Sequence, residues 1–129
     1  MDFRLPADIE AVRLKVRDFV AREIMPVEHD PDAWGEGENI ALDRLETLRS
    51  KAKAAGLWAP QMPKARGGME LPVIGMAAVY EEAGRSLFGP VTFNCAAPDD
   101  GNMILLNKVA TEAQKARWLQ PIIDGTVRS

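Results

Sequence analysis

Apolar residues recur at helical spacing along most of the chain. Ile9, Val12, Val16, Phe19, Val20 and Ile24 fall mainly three and four apart, which predicts an amphipathic helix over Pro6–Met25. Arg13, Lys15, Arg17 and Arg22 take the other face, and Asp18 with Arg22 forms a favourable i,i+4 pair. Pro26 disfavours helical geometry at Met25, so this helix is expected to end there. A polar loop over Val27–Glu38 follows. Leu42, Leu45, Leu48, Ala52 and Ala55 predict a second helix, with Asn39 as its N-cap. Lys51 and Lys53 suit its carbonyl end, and Gly56 suits the residue just beyond. The stretch Leu57–Leu71 cannot be helical, because it holds Pro60, Pro63, Gly67 and Gly68. It also carries Leu57, Trp58 and Met62, so it is expected to lie against the core.

The rest is organised around Pro72–Pro90. Val73, Ile74, Met76, Ala77, Ala78 and Val79 make the first half apolar on nearly every side. Such a helix is expected to be central and covered on several faces. Pro72 suits its first position, Gly84 and Gly89 loosen its far end, and Pro90 is expected to stop it. The periodicity of Val91–Ala97 fits either an extended or a helical segment. Pro98, Asp99 and Asp100 then open a short helix through Met103, Ile104, Leu105 and Leu106, with the acids capping it. Thr111-Glu112-Ala113-Gln114 is a capping box and starts the last helix. Trp118 and Leu119 are expected to face inward. Pro121 is expected to break the helix or start a final turn, and Gly125 to end it, leaving Thr126–Ser129 as a bare end.

The 129 residues suffice for one domain with one core. A net charge of −3 without a basic stripe argues against a nucleic-acid partner. No apolar run approaches the roughly 20 residues of a membrane span. The first residues lack the apolar core of a secretory signal. Cys95 is the sole cysteine, so no intrachain disulfide is possible.

Few side chains suggest chemistry. Glu81 and Glu82 are adjacent carboxylates, but neighbours on a helix point apart, and pairing with Arg85 is the favoured reading. His29 is the sole histidine and sits in a polar loop, so a catalytic role is disfavoured. One histidine cannot supply a di-iron bundle, and the Cys and His count excludes a structural zinc site. Asp30, Asp32 and Gly35 match early positions of a calcium loop, but Ala41 stands where its bidentate glutamate is required. Cys95 has no cation near it in sequence and is expected to be buried and inert. Gly67-Gly68 is too short to cradle a phosphate, and no strand precedes it.

Three stretches carry a family resemblance: GLWAPQMPKARGG at Gly56–Gly68, YEEAGRSLFGP at Tyr80–Pro90 and APDDGNM at Ala97–Met103. With TEAQKARWLQPIIDG at Thr111–Gly125, the chain resembles the N-terminal helical domain of acyl-CoA dehydrogenases along essentially its whole length. The resemblance implies an all-α, orthogonal or up-down bundle of about five to six helices over residues 1–129. It also implies a longer enzyme, with a β-barrel-like middle domain and a C-terminal four-helix bundle absent here.

That enzyme would be an FAD-dependent oxidoreductase of fatty acid metabolism, dehydrogenating acyl-CoA thioesters and passing electrons to a partner. Much of the flavin contact and the catalytic glutamate are implied to lie beyond Ser129. The chain alone is therefore expected to hold no FAD and to be inactive, with no catalytic or metal-binding residue of its own. Its implied share is one wall of the acyl-chain pocket, carried by position onto Thr92, Phe93, Ala96 and Asp100. Phe93 and Ala96 suit an alkyl chain, whereas Asp100 suits a helix cap. Severed from its neighbours, the domain is expected to self-associate through Val91, Phe93, Ala96 and Ala97, with Trp58 and Met62 as further candidates. The location is expected to be cytoplasmic in a bacterium, or mitochondrial or peroxisomal in a eukaryote. The alternative function is a stand-alone helical binding or assembly module without catalytic activity.

Overall fold

The computed structural model describes residues 4–129. These residues are all-α, with six continuous helical stretches and no named strand. Helix α1, Ala7–Phe19, runs through a π turn at Val20–Ile24 directly into α2, Met25–Glu28. A 3-10 turn at Pro31–Ala33 leads to α3, Leu42–Ala54. A second 3-10 turn at Lys64–Arg66 lies in the loop before α4, Val73–Ala83. Short α5, Gly89–Thr92, precedes α6, Asp99–Val109. Helix α7, Glu112–Gln114, a π turn at Lys115–Leu119 and α8, Gln120–Asp124, form the final stretch.

Neither internal proline breaks its helix: for Pro26 this is contrary to expectation, while Pro121 sits in the first turn of α8, the second of its two expected outcomes. In a regular helix the proline ring strikes the carbonyl four residues back. Here the turn before each proline is widened. Met25 N–H donates to Val20 O and Gln120 N–H to Lys115 O, each five residues back. Such π turns absorb a local misfit without ending the helix. The first helix therefore passes Met25 and occupies part of the expected loop. The capping box at Thr111 and Gln114 forms as expected, and Gly125 ends α8 in the left-handed conformation.

Three other boundaries differ. Asn39 does not cap α3: it adopts a left-handed conformation, φ 66°, and Ala41 precedes the helix without a side-chain cap. Its neighbour Ile40 is buried instead and pairs with Trp34 in an isolated bridge. Pro90 does not stop the central helix, which ends at Ala83. Pro90 sits in the first turn of α5, where no N–H is needed. The chain turns sharply between them at Gly89, where a Cβ would stand 1.9 Å from Ala83 O. The final residues are tied down: Ser129 N–H donates to Asp99 at 2.7 Å, and Arg128 pairs with Asp99 and Glu38.

Two apolar clusters form the interior. The larger gathers Val16, Phe19, Val20 and Ile24 with Leu45, Leu48, Val79, Ala83, Phe88 and Phe93. The smaller joins Trp58 and Met62 to Met103, Leu119, Ile122 and Ile123. The loop over Leu57–Leu71 lies against the core as expected. Among the described residues, helix α4 is covered on one flank only. Gly75, Ala78, Val79, Glu82 and Ala83 are buried, while Val73 is 77% exposed and Ile74 48% exposed. An all-round apolar helix signals contact on several sides, but among the described residues α1 is its main neighbour. Trp118 points outward beneath the Arg117 guanidinium, while Leu119 is buried. Leu42 is also exposed, at the outer edge of its helix.

Candidate functional site

The segment from Phe88 to Asp100 joins both clusters, and its residues divide between interior and surface. Thr92 is fully buried, and its hydroxyl donates to Phe88 O at 2.7 Å. This is the back-bond that threonine makes to the preceding helical turn. The Phe93 ring is also buried, tilted against Phe19 at a centroid distance of 5.5 Å. Val91, Trp58 and Met62 are interior too. These residues and Phe93 therefore do not form the exposed patch the sequence suggests for self-association. Of that set, Ala96 is half-buried and Ala97 exposed.

Asn94 fixes the direction of the segment. It adopts a left-handed conformation, φ 57°, which asparagine tolerates better than most residues. Its buried amide donates to Ile122 O at 3.0 Å and Ile123 O at 3.1 Å. The anchored turn places Ala96 and Asp100 at the junction of α4 and α6. Tyr80 of α4 donates its hydroxyl to Asp100 Oδ1 at 2.7 Å. Tyr80, Ala96 and Asp100 thus form a half-buried shelf. Ile104 lies one helical turn beyond Asp100, and Ala77 about one turn before Tyr80.

Asp100 is not the expected cap, because its helix begins without a side-chain cap and its carboxylate is engaged by Tyr80. Asp99 does not cap either; its carboxylate binds Ser129 and Arg128. Burial, then the hydrogen bond to Asp100, holds the Tyr80 phenol above its usual range. Burial chiefly, with Asp100 nearby, pushes the Cys95 thiol up to about 12. The phenol stays protonated as a donor, and Cys95 is an inert packing group.

The other candidates separate. Glu82 is buried, paired with Arg13 across the helices and with Arg85 at 3.3 Å. Arg13 also takes Glu10 at 2.7 Å, and these carboxylates, Glu10 foremost, hold its guanidinium above its usual range. Glu81 is exposed and turned away, so the two acids share no site. The Arg85 pairing is legible in the sequence for Glu82; the Arg13 partner, 69 positions away, is not. His29 is exposed. Asp30 Oδ1 accepts from Asp32 N–H at 3.1 Å and so caps a 3-10 turn. Among the described residues no group of three or more His, Cys, Asp or Glu is placed to hold a metal ion. None of their helices is long and apolar enough to cross a membrane.

Tyr80 is the shelf residue that residue-by-residue reasoning misses. Its only signal is a hydroxyl-bearing side chain where the apolar half of α4 gives way to Glu81 and Glu82.

Comparison with known proteins agrees with this architecture. Residues 6–126 match the family model described as acyl-CoA dehydrogenase, N-terminal domain. The probable acyl-CoA dehydrogenase FadE2 of Mycobacterium tuberculosis is 37% identical over 134 residues, an alignment that covers 100% of this chain and 32% of that protein. Human acyl-CoA dehydrogenase family member 11 is 34% identical over 131 residues, covering 93% of this chain and 16% of that protein. A solved structure assigned to an acyl-CoA dehydrogenase of Mycobacterium abscessus superposes with a TM-score of 0.84 at 36% identity, over 98% of this chain and 34% of that one. The chain thus spans a third or less of these two sequence relatives. The helical order, the buried Phe88–Asn94 turn and the family match over residues 6–126 place the chain in the acyl-CoA dehydrogenase family, as its N-terminal domain.

Proposed function

We propose that the chain supplies one wall of the acyl-chain pocket in an FAD-dependent acyl-CoA dehydrogenase. The observation that carries this reading is the half-buried shelf of Tyr80, Ala96 and Asp100 where α4 meets α6. Ala96 offers an alkyl chain a small apolar surface. Phe93 and Thr92 stand behind the shelf and set its depth. The Phe93 ring is locked on Phe19, and Thr92 is locked to Phe88 O.

This chain's part is shape and the exclusion of water, not bond making. The described residues do not fit a flavin by themselves. Gly67 N–H and Gly68 N–H are spent on Lys64 O and Pro63 O, each at 3.0 Å, so neither is left for a phosphate. No step of the reaction is therefore assigned to a flavin held here.

The test is Ala96→Leu in the flavin-loaded dehydrogenase that carries this domain, assayed with short-chain and long-chain acyl-CoAs. The added side chain shortens the pocket and should raise KM for long chains by about tenfold or more. Short chains should be little affected, with melting temperature and flavin content unchanged. The same KM for every chain length would remove Ala96 from the pocket wall.

A further inference from the structure

A second concavity lies away from the shelf residues. A groove of about 760 Å³ runs between the loop before α4, the end of α3 and the end of α8. Its apolar floor includes Val12, Met69 and Leu71, and its rim carries Lys53, Lys64 and Arg66. Among the described residues, Asp124 is the one carboxylate lining it. In a chain of net charge −3, this is a local excess of cations.

The groove is preformed. Lys53 Nζ donates to Asp124 O at 2.8 Å and rests 4.3 Å over the Trp58 ring. Arg66 binds Glu112 at 2.7 Å, and its carbonyl accepts from Gln120 at 3.2 Å. The loop between is pinned by backbone bonds from Met69 to Ala59 O, Glu70 to Met62 O and Leu71 to Pro60 O. Gly68 passes so close that a Cβ would stand 2.2 Å from Met62 O. Lys64 is exposed at the rim. A rigid site needs little ordering on binding, and its volume falls in the range of small-molecule pockets, roughly 300–1,000 Å³.

We infer that this groove binds a free, single-chain anionic amphiphile, a fatty carboxylate or alkyl phosphate. The tail lies on Val12, Met69 and Leu71, and the head group meets Lys64 with Lys53 and Arg66. A bare anion would leave the floor wet, and a neutral chain would leave exposed Lys64 unmatched, since Arg66 is paired with Glu112 and Lys53 is held by Asp124 O. The inference does not depend on the acyl-pocket reading, since it uses none of the shelf residues.

The test is titration of the 129-residue chain, followed by amide NMR shifts of Gly67, Gly68 and Leu71. Decanoate and decyl phosphate should both bind, each at least about tenfold more tightly than decanol or inorganic phosphate. Lys64→Glu should weaken the amphiphiles by about tenfold, with circular dichroism unchanged. Lys64→Gln should fall between, which separates charge from folding. Equal binding of inorganic phosphate would reduce the groove to an anion site and overturn the inference. Equal binding of decanol would do the same in the apolar direction. Binding only to phosphatidylglycerol vesicles would reassign it to a lipid surface, and no shift with any probe would end the proposal.

Discussion

The two apolar clusters are closed by different means. The larger is sealed by side chains from α1, α3 and α4, with Phe19, Phe88 and Phe93 filling the centre. The smaller is assembled from a loop and the turns of α6 to α8. Buried polar groups tie it to the ends of its helices. Asn94 holds Ile122 O and Ile123 O, Trp58 Nε1 donates to Ile123 O at 2.7 Å, and Arg49 reaches Gly125 O, at the end of α8, at 3.5 Å. The last carbonyls of a helix have no partner within it. A long amphipathic helix brings enough apolar surface to close a core by packing, whereas a short one needs side chains to take up its loose ends. Burial lowers the Arg49 pKa, which marks the cost of keeping a guanidinium there.

Substitutions can break this contrast. Phe93→Ala empties the centre of the larger cluster and should cost about 3–5 kcal/mol in urea unfolding. The loss should be cooperative and should appear in both clusters, because Phe93 O also accepts from Ala59 N–H at 2.9 Å. Asn94→Ala should cost less, about 1–3 kcal/mol, by removing two buried hydrogen bonds and leaving Ile122 O with Gly125 N–H and Ile123 O with Trp58 Nε1 as their remaining donors. Its effect should be local: amides of α8 should exchange faster while α1 and α3 remain protected. Uniform loss of protection would mean that the polar ties hold the whole domain and not one cluster.

The smallest effect is alkaline. The native Cys95 thiol is held at about 12, above its unfolded value near 8.5. Between those values the native state keeps a proton that the unfolded state has lost, so stability falls as pH rises through that window. It is fully retained below the unfolded pKa. At pH 9 the expected loss is about 1 kcal/mol, and Cys95→Ala should remove that part of the slope. A raised Tyr80 pKa acts with the same sign from about pH 10 upward. An identical alkaline slope in the variant would place the titration elsewhere.

The shelf itself was only partly legible. The resemblance points to Ala96 and Asp100, but the hydrogen bond that holds Asp100 is not in it. That Phe93 faces inward could not be read, since an apolar residue in a turn suits a pocket wall and a core equally. The role of Asp100 was misjudged for a related reason. An acid at a helix start has a local use as a cap, and its actual donor, Tyr80, sits 20 residues away on another helix.

The sequence by itself determined the helical class, the order of the elements, the capping box at Thr111 and the glycine stop at Gly125. These depend on neighbours within about one turn, so spacing and residue type encode them directly. Only the tertiary structure decided that both internal prolines are absorbed, because the first and last helical stretches continue as packed elements beyond Met25 and Gln120. It also decided which flank of α4 is covered, and that Asn94 turns inward to join the two clusters. Those outcomes follow from distant groups competing for the same buried space and the same unpaired carbonyls, which no local pattern records.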